Sequence, residues 1–230
     1  KYGVIGCGNL GGHLAASLIR AGFDVAVFDQ HATHTTRLTD LGAALATDPA
    51  ALAAVSDAVI TCLPSPAASD AVMQEMLPEV AAGKIWMEMS TTDEAEVKRL
   101  GAQVIERGGA AVDCPVSGGC HRADTGNISI FAGGPRNAVE AVMPLLKHLG
   151  RRILHTGDLG TASKLKVMTN YLATVHLAAL CEALTTMKAA GLDLATTYEA
   201  IRISSGNSFV HETESQLILN GSRKIDFTMD

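Results

Sequence analysis

Short apolar runs alternate with amphipathic stretches over the first 155 residues of the chain. Runs at 2–5, 25–28, 58–63, 85–89, 110–114, 128–131 and 153–155 have the length and flanking turn residues of strands. Helical periodicity follows the first run as far as Ala21 and recurs at 69–80, 93–107 and 136–149. This alternation predicts an α/β fold, a doubly wound parallel sheet with helices on both faces.

The pattern changes near residue 160. From Thr161 onward only helical periodicity is present, at 162–190, 194–203 and 210–219, and the chain stops at Asp230 within an unfinished element. We therefore expect a nucleotide-binding domain over 1–160 and an all-helical domain over 161–230 that is incomplete at its C-terminus.

A glycine-rich turn follows the first apolar run and opens the first helix. Residues 6–11 read GCGNLG, the GxGxxG spacing that dinucleotide-binding folds place between a strand and a helix. Gly6 suits the tight turn, Gly8 leaves room for a pyrophosphate, and Gly11 lets the helix pack closely on the strand. Asp29 ends the second run, roughly 20 residues later, where an acid accepts from the ribose 2′-hydroxyl. Together these residues predict a Rossmann-type dinucleotide site.

The acid at position 29 favours NAD over NADP, because a carboxylate repels the 2′-phosphate and accepts from the free hydroxyl. His31, His34 and Arg37 follow in what reads as a loop and offer positive charge to a phosphate, so NADP is the second interpretation. The two histidines have no third ligand at a suitable spacing and are interpreted as solvated residues.

Distinctive residues also follow three later strands, at 63–65 (LPS), 90–92 (STT) and 113–119 (DCPVSGG). Because ligands bind beyond the carboxyl ends of parallel strands, these turns are expected on the ligand side of the sheet. The backbone N–H groups of the glycine pair and the hydroxyl of Ser117 form a candidate anion cradle. The alternative is a glycine-rich turn without a ligand.

Two polar residues near the start of the long helix are candidates for proton chemistry. Lys166 and Asn170 are four residues apart, so they share a helix face, which we expect to be buried against a cofactor. Lys164 lies about 200° around the helix from Lys166, so only one lysine can share that face. We take Lys166 as the candidate; the alternative is that both polar residues face solvent.

Composition excludes several classes of function. Of 230 residues, 47% are hydrophobic and 18% charged, and the net charge of -6 is spread without a basic block. Binding to nucleic acid or to an anionic membrane is therefore not expected. The longest apolar stretch, 171–184, is interrupted by His176 and Glu182 and is shorter than a bilayer span.

The chain runs from Lys1 straight into the glycine turn, so no secretory leader is expected, and the absent start methionine suggests that a few residues have been trimmed. Five cysteines without a CxxC pair fit free thiols in a reducing cytoplasm. Cys114, Cys120 and His121 have no carboxylate or second histidine at ligand spacing, so no metal site is predicted.

The five motifs together resemble those of the β-hydroxyacid dehydrogenases, the family of 3-hydroxyisobutyrate dehydrogenase. GCGNLG, LPS, STT, DCPVSGG and Lys166 with Asn170 occur in the family's order and span almost the whole chain. The resemblance implies a nucleotide-binding domain joined by a long helix to an all-helical domain, with the active site between them. It implies an NAD-dependent enzyme that moves a hydride between the nicotinamide and a small anionic hydroxy acid or its semialdehyde.

The resemblance also implies roles for individual residues. Lys166 would act as general acid and base, and Asn170 would orient the substrate. Ser117, Gly118 and Gly119 would hold the substrate carboxylate, while Arg122 is a candidate for gripping a distal anion or a surface residue. The cofactor would be bound by Gly6, Cys7, Gly8, Asn9, Leu10, Gly11, Asp29, Leu63, Pro64 and Thr91.

Two features depart from the family pattern. Leu10 stands where the family usually has a methionine, and the usual C-terminal segment with a Lys-Asp pair is not part of this sequence. The site is therefore expected to be completed by residues outside this sequence, or the chain to be truncated.

Related families supply alternative interpretations. 6-Phosphogluconate dehydrogenases have a histidine before the asparagine and a glutamate three residues after it; this chain has Thr169 and Ala173, which favours oxidation without loss of CO₂. Imine reductases generally lack the lysine that corresponds to Lys166. A dehydrogenase-like domain that serves as a binding module without catalysis has also lost it. Retention of Lys166 favours an enzyme.

The substrate is open among hydroxyisobutyrate, tartronate semialdehyde, succinic semialdehyde, threonate and sulfonated aldehydes. The long apolar helix and family analogy predict a homodimer or homotetramer.

Overall fold

The computed structural model describes residues 1–118, 123 and 125–222. The strands are β1 (Tyr2–Ile5), β2 (Val25–Phe28), β3 (Ala44–Leu45), β4 (Ala58–Thr61), β5 (Ile85–Glu88), β6 (Ala110–Asp113), β7 (Val116–Ser117), β8 (Ile128–Gly133) and β9 (Gly150–Gly157). The helices are α1 (Asn9–Arg20), α2 (Ala32–Asp40), α3 (Pro49–Val55), α4 (Pro66–Met76), α5 (Glu94–Glu106), α6 (Arg136–Leu149), α7 (Thr161–Ala189), α8 (Leu194–Arg202) and α9 (Phe209–Leu219). A short 3-10 helix, Leu77–Glu79, follows α4.

The strands form one sheet in the order β3-β2-β1-β4-β5-β6-β8-β7, with β9 paired to β8. Pairing is parallel from β3 to β6, and its register aligns the last residue of each central strand. We call this line the terminal row: Phe28, Ile5, Thr61, Glu88 and Asp113. Every turn that carries a predicted motif leaves the sheet just after this row, so the motifs lie along one edge.

Two hydrophobic clusters cover the two faces of the sheet. Strand side chains alternate between the faces, so neighbours along a strand belong to different clusters. The pairs are Val4 and Ile5, Val27 and Ala26, Ile60 and Val59, Met87 and Trp86, and Val112 and Ala111. Helices α1 and α6 cover the first face with Leu14, Leu18, Val142 and Leu145, and helices α3, α4 and α5 cover the second with Leu52, Met73 and Leu100. The doubly wound α/β arrangement expected from the sequence is confirmed.

Several elements differ from the sequence-based expectation. Helix α4 begins at Pro66, not at residue 69, because the Ser65 hydroxyl accepts from the Ala68 N–H at 3.2 Å and proline fits the first helical turn. Helix α2 was expected to be a loop; only Thr35 and Leu38 of its nine residues are buried, which leaves little apolar periodicity to detect. Helix α3 is short and alanine-rich, and Asp48 caps it.

The sheet is not parallel throughout. Strand β8 runs antiparallel to both β6 and β7 and parallel to β9. Cys114 and Pro115 separate β6 from the two-residue strand β7, which pairs Ser117 with Ser129. The parallel sheet predicted from the sequence is confirmed from β3 to β6, and beyond β6 the chain turns back along the edge.

The chain divides into two compact units, Lys1–Val167 and Met168–Asp230, and the division falls within helix α7. The described part of the second unit is helical. In it, His211 is buried and connects helices α8 and α9: its Nε2 lies 3.0 Å from the Tyr198 carbonyl oxygen, and its Nδ1 lies 2.8 Å from the Ser215 hydroxyl. This buried polar contact fixes the packing of a helix pair that has few large apolar side chains inside.

Helix α7 is longer than the apolar stretch identified in the sequence. Its 29 residues are long and apolar enough, by length and composition alone, to cross a membrane. The expectation that no segment reaches that length is therefore corrected. A helix of a soluble protein can satisfy the same criterion, so the finding is weak support for a membrane span.

Three members of the terminal row are buried polar residues: Thr61, Glu88 and Asp113. The Thr61 hydroxyl accepts from the Trp86 indole N–H at 2.8 Å, and a Glu88 carboxyl oxygen accepts from the Ser90 N–H at 2.7 Å. Burial raises the pKa of Glu88 to about 7, although hydrogen bonds from Ser90, Thr61 and Ser69 oppose that shift. Glu88 is therefore protonated in mildly acidic solution and about half protonated near pH 7.

The raised pKa of Glu88 makes the free energy of unfolding depend on pH. Below pH 4.5 both folded and unfolded states are protonated; between 4.5 and about 7 only the folded state keeps the proton, so stability falls as pH rises through this interval. The loss is on the order of 3 kcal/mol at its largest. Glu88→Gln, which is neutral at every pH, should flatten this slope in urea unfolding at a series of pH values. Glu140→Gln, an exposed control on α6, should leave the slope unchanged; a Glu88→Gln slope equal to wild type would contradict the assignment.

Candidate functional site

The glycine turn at the end of β1 packs tightly against neighbouring backbone. Gly6 has φ of +88°, and a Cβ there would lie 2.3 Å from the carbonyl oxygen of Cys62. A Cβ on Gly11 would lie 1.9 Å from the carbonyl oxygen of Gly6. Only glycine fits at these two positions, because strand β1, helix α1 and the end of β4 meet there.

Gly8 differs from its two neighbours in the motif. A Cβ at Gly8 would meet nothing within 4 Å, so the missing side chain leaves open space instead of relieving a clash. Helix α1 begins at the next residue, and within the described ranges no side chain caps its first turn. Open space before an uncapped helix N-terminus suits a phosphate group, so the residues present fit the pyrophosphate of a dinucleotide.

Asp29 connects the glycine turn to the segment after β2. Its Oδ2 accepts from the Cys7 N–H at 2.7 Å and its Oδ1 from the His31 N–H at 2.8 Å, while His34 Nδ1 lies 3.1 Å from Oδ1. Burial opposes ionisation, but the hydrogen bonds from His31, Cys7 and His34 prevail and hold the pKa of Asp29 below its usual value. The carboxylate is therefore ionised and fixed beside the glycine turn.

A cleft of about 310 Å³ opens next to this carboxylate. Phe28, Thr35, Leu45 and Thr47 are among its lining residues, together with Asp29. A cleft lined by both apolar and polar side chains, with an ionised acid at its edge, suits the adenosine half of a dinucleotide, with the ribose hydroxyls toward the acid.

The sequence suggested that the three basic residues after Asp29 lie in a loop, but the structure places them at helix α2. His31 precedes α2 as its N-cap residue, and His34 and Arg37 lie on that helix. The His31 and His34 rings make an edge contact, with centroids 5.3 Å apart. His34 contacts the Asp29 carboxylate, so the position of its ring depends on Asp29.

A hydrogen bond joins the turns after β4 and β5. The Leu63 N–H donates to the Ser90 hydroxyl at 2.8 Å, while the Ser90 N–H is held by Glu88. Leu63 is partly buried, and Pro64 and Thr91 are exposed. The family resemblance assigns Leu63, Pro64 and Thr91 to the cofactor. Ser90, which the sequence singled out only as part of the STT turn, and Glu88, which it missed, fix the turns that carry these residues.

The candidate anion cradle is described only in part. Ser117 and Gly118 are partly exposed, and Gly118 has φ of +128°, a conformation that favours glycine. The Pro115 carbonyl accepts from the Phe131 N–H at 3.1 Å, which ties the segment to β8. Gly119 and Arg122, also assigned to the substrate, lie outside the described residues, as do Cys120 and His121.

The two lysines at the start of α7 have different environments. Lys164 is 66% exposed and forms an ion pair with Glu94 Oε2 at 2.6 Å. The other carboxylate oxygen of Glu94 pairs with Lys98, also at 2.6 Å. Lys166 is partly buried, and this burial lowers its pKa to about 8. An amine with this pKa can both take up and release a proton near neutral pH.

Asn170 does not have the buried environment expected from the sequence. It is exposed, and its backbone carbonyl accepts from the Thr174 hydroxyl at 3.0 Å. Helical spacing relates the face of Asn170 to that of Lys166 but could not reveal how deeply each side chain is covered.

The structure contains no cluster of three or more metal-ligating side chains within the described ranges. Cys7 and Cys114 are buried, and desolvation, reinforced by nearby carboxylates, raises the pKa of both thiols. Both cysteines are therefore neutral packing residues near pH 7.

Two family models together match nearly the whole chain. One, described as the NAD binding domain of 6-phosphogluconate dehydrogenase, matches residues 1–157. The other, described as the NAD-binding region of NADP-dependent 3-hydroxyisobutyrate dehydrogenase, matches residues 160–230. Mitochondrial 3-hydroxyisobutyrate dehydrogenase of Rattus norvegicus is 30% identical over 92% of this chain, which covers 64% of that protein. The chain belongs to the β-hydroxyacid dehydrogenase family.

Other relatives in the family act on different compounds. The 2-(hydroxymethyl)glutarate dehydrogenase of Eubacterium barkeri is 31% identical over 100% of this chain, which covers 78% of that protein. The L-threonate dehydrogenase of Cupriavidus necator is 33% identical over 96% of this chain, which covers 76% of that protein. Family membership is thus compatible with more than one hydroxy acid.

The solved structures agree with the fold of the family. The 3-hydroxyisobutyrate dehydrogenase of Salmonella typhimurium superposes with a TM-score of 0.89 at 27% identity, covering 98% of this chain and 80% of its own. An imine reductase from Myxococcus stipitatus superposes with a TM-score of 0.81 at 21% identity, covering 96% of this chain and 75% of its own. The second likeness shows a common fold only.

The glycines of the turn give a matched pair of substitutions. Gly11→Ala should lower the free energy of unfolding by about 1–3 kcal/mol, because its methyl group enters occupied space. Gly8→Ala should leave unfolding unchanged but weaken NAD binding by about tenfold or more, because its methyl group enters the space assigned to phosphate. Urea unfolding and NADH fluorescence titration measure the two effects. If Gly8→Ala binds NADH as tightly as the wild-type protein, the assignment of the phosphate to this turn is wrong.

Proposed function

We propose that this chain is an NAD-dependent oxidoreductase that moves a hydride between the nicotinamide and a small β-hydroxy acid or its semialdehyde. The observation that carries the proposal is Lys166: a partly buried amine with a lowered pKa, a short way into the helix that follows the sheet with the dinucleotide motifs. Exposed Lys164, two residues earlier, is committed to an ion pair with Glu94.

Lys166 handles the proton that accompanies hydride transfer. When bound, the oxidised nicotinamide supplies the hydride acceptor. In the oxidation direction the neutral amine removes the hydroxyl proton; in the reduction direction the ammonium donates it to the carbonyl oxygen and stabilises the developing alkoxide. Family resemblance assigns substrate orientation to Asn170, whose amide can bond a hydroxyl without a change of charge.

The substrate carboxylate is assigned to the anion cradle. Ser117 offers a hydroxyl, and Gly118 and Gly119 offer backbone N–H groups without side chains in the way. Arg122 is the candidate partner of a second anionic group. The relatives are named as dehydrogenases of 2-(hydroxymethyl)glutarate, L-threonate, 3-hydroxyisobutyrate and L-serine. A hydroxyl close to a carboxylate is common to them, which supports the proposed substrate class, with 3-hydroxyisobutyrate as its reference member.

We propose NAD as the preferred cofactor. The ionised Asp29 beside the cleft favours a free ribose 2′-hydroxyl over a 2′-phosphate. An L-serine dehydrogenase of Pseudomonas aeruginosa named as NAD-dependent is 32% identical over 90% of this chain. A similar solved structure, with a TM-score of 0.89 at 25% identity, holds NADP⁺, so the choice needs a direct test.

We also propose a homodimer or homotetramer in the cytoplasm. Large apolar side chains on α7 are exposed, which supports their burial by another copy of the chain. They are Leu165, Val167, Met168, Tyr171, Leu172 and Val175.

Replacement of Lys166 tests the proposed proton transfer. Lys166→Met should lower kcat by about 100-fold or more with NADH affinity unchanged, because a methionine fills the space but carries no proton. Lys164→Met, on the same helix, should retain wild-type kcat. The assay follows NADH absorbance with a panel of β-hydroxy acids. A wild-type protein that binds NADH but turns over none of them would instead be a binding module.

The pH dependence of wild-type turnover provides a second test of Lys166. Oxidation needs the neutral amine, so kcat should rise with pH through about 8; reduction needs the ammonium, so kcat should fall through the same value. Measuring both directions separates this effect from denaturation, which would depress both. Parallel profiles in the two directions would contradict the assignment.

Substitution of Asp29 tests the cofactor preference. Asp29→Ala should raise the dissociation constant of NAD relative to that of NADP by about 10- to 100-fold. The substitution removes both the acceptor for the 2′-hydroxyl and the repulsion of the 2′-phosphate. Asp40→Ala, an exposed site at the end of α2, removes the same charge away from the cleft and should not move the ratio. An unchanged ratio in Asp29→Ala would remove this residue from the ribose site.

A further inference from the structure

The carboxylate of Asp113 is buried beneath the start of helix α7. Its Oδ1 accepts from the Gly160 N–H at 2.8 Å and its Oδ2 accepts from the Ser163 N–H at 2.7 Å. Asp113 has 0% of its surface exposed, and Ser163 is buried as well. These two N–H groups belong to the opening turn of α7, which has no acceptors within its own helix.

This contact differs from the other aspartate caps of the fold. Asp48, Asp93 and Asp193 each cap the helix that follows them directly, through an N–H three residues on. Asp113 instead reaches across 50 residues of sequence to Ser163. It therefore joins two separate segments, the end of β6 and the beginning of α7.

The neighbouring strand β8 approaches this carboxylate so closely that position 133 has no space for a side chain. A Cβ on Gly133, the partner of Asp113 across the sheet, would lie 2.3 Å from Asp113 Oδ1 and 3.1 Å from the Ala162 nitrogen. The close approach of β8 to the start of α7 thus depends on a glycine at position 133. The geometry fixes both the depth and the rotation of the first turn of α7.

Asp113 lies between the two groups assigned to the substrate. After Asp113 the chain passes through Cys114 to Val116 and reaches Ser117 and Gly118 of the anion cradle. On the other side, Ser163 precedes Lys166 by three residues, which is less than one turn of helix or about 4.5 Å along its axis. A single rigid side chain therefore connects the strand that leads into the cradle with the turn that carries the amine.

We propose that Asp113 is a positioning residue that sets the place of the Lys166 amine relative to the Ser117 and Gly118 cradle. It touches neither substrate nor cofactor in this role and acts through the backbone of α7. Two charge-assisted hydrogen bonds at a helix N-terminus, both buried, resist sliding and rotation of the helix. The inference rests on the proposed role of Lys166 as acid and base.

Asp113→Asn tests the proposal with little change in shape. An amide can accept one of the two N–H groups but meets the other with its own donor, so the first turn should shift. We expect kcat to fall at least tenfold while NADH affinity stays within about twofold of wild type. Because burial lowers the pKa of Lys166, a shifted helix should also expose the amine and move the kinetic pKa upward from about 8. A purely structural cap would lower the melting temperature without moving this pKa.

Asp193→Asn is the matched control. It makes the same chemical change at the cap of α8, where the carboxylate accepts from the Thr196 N–H at 2.7 Å and from its hydroxyl at 2.9 Å. It should lower the melting temperature and leave kcat and the kinetic pKa unchanged.

Gly133→Ala provides a second variant that keeps the carboxylate but displaces it. It should reproduce the loss of kcat and the upward shift of the kinetic pKa, and it keeps the proposal testable if Asp113→Asn does not fold. A folded Asp113→Asn or Gly133→Ala protein with wild-type kcat and pH profile would overturn the proposal.

Titration of the Lys166 amine by NMR, in protein without substrate, separates this proposal from the proposed function. If wild-type protein turns over no hydroxy acid, the proposed function fails. The titration still tests Asp113: a rise in the Lys166 pKa in Asp113→Asn supports the positioning role, and an unchanged pKa overturns it.

Discussion

Parallel pairing of strands β2, β1, β4, β5 and β6 is the constraint on which the site depends. It brings the carboxyl ends of these strands to one edge, where Phe28, Ile5, Thr61, Glu88 and Asp113 lie side by side. Each strand then leaves the sheet into a turn that carries candidate site residues. Segments distant in sequence are in this way assembled along one edge by backbone hydrogen bonds alone.

The polar residues in that row have a second function. Glu88 and Asp113 are buried, and each accepts hydrogen bonds from backbone N–H groups of the segments above the sheet. Glu88 accepts from the Ser90 N–H, and the Ser90 hydroxyl accepts from the Leu63 N–H. Asp113 accepts from two N–H groups at the first turn of α7. The sheet thus positions the surrounding turns through side chains, in addition to bringing their ends together. Buried acids of this kind are costly unless bonded, so they specify one arrangement of the turns over others.

Local patterns in the sequence were sufficient for the elements with strong periodicity and for the glycine turn. Strands β1 and β2 and helix α6 have the predicted bounds, because a short apolar run or an amphipathic face needs no knowledge of its partners. The clash distances at Gly6 and Gly11 agree with the roles that spacing gave them. Helices α2 and α3 were missed because threonines and alanines on them give little contrast between faces.

Contacts between distant residues could not be inferred in the same way. The sequence places Asp113 at the start of the DCPVSGG motif but indicates no role for it, since its partners Gly160 and Ser163 lie far along the chain. Helical spacing placed Lys166 and Asn170 on one face but could not show that the lysine is partly covered and the asparagine exposed. The one signal for Asp113 was its type and position: an acid at the end of an apolar strand, where burial without partners would be unfavourable.

Chemical rescue of Lys166→Ala by small primary amines tests most directly whether the amine of residue 166 moves the proton. If Lys166 has this function, added methylamine should restore part of the lost turnover, and the rescued rate should rise with amine concentration and depend on the pKa of the amine. No rescue by any amine in a variant that still binds NADH and substrate, or full activity without one, would contradict the account.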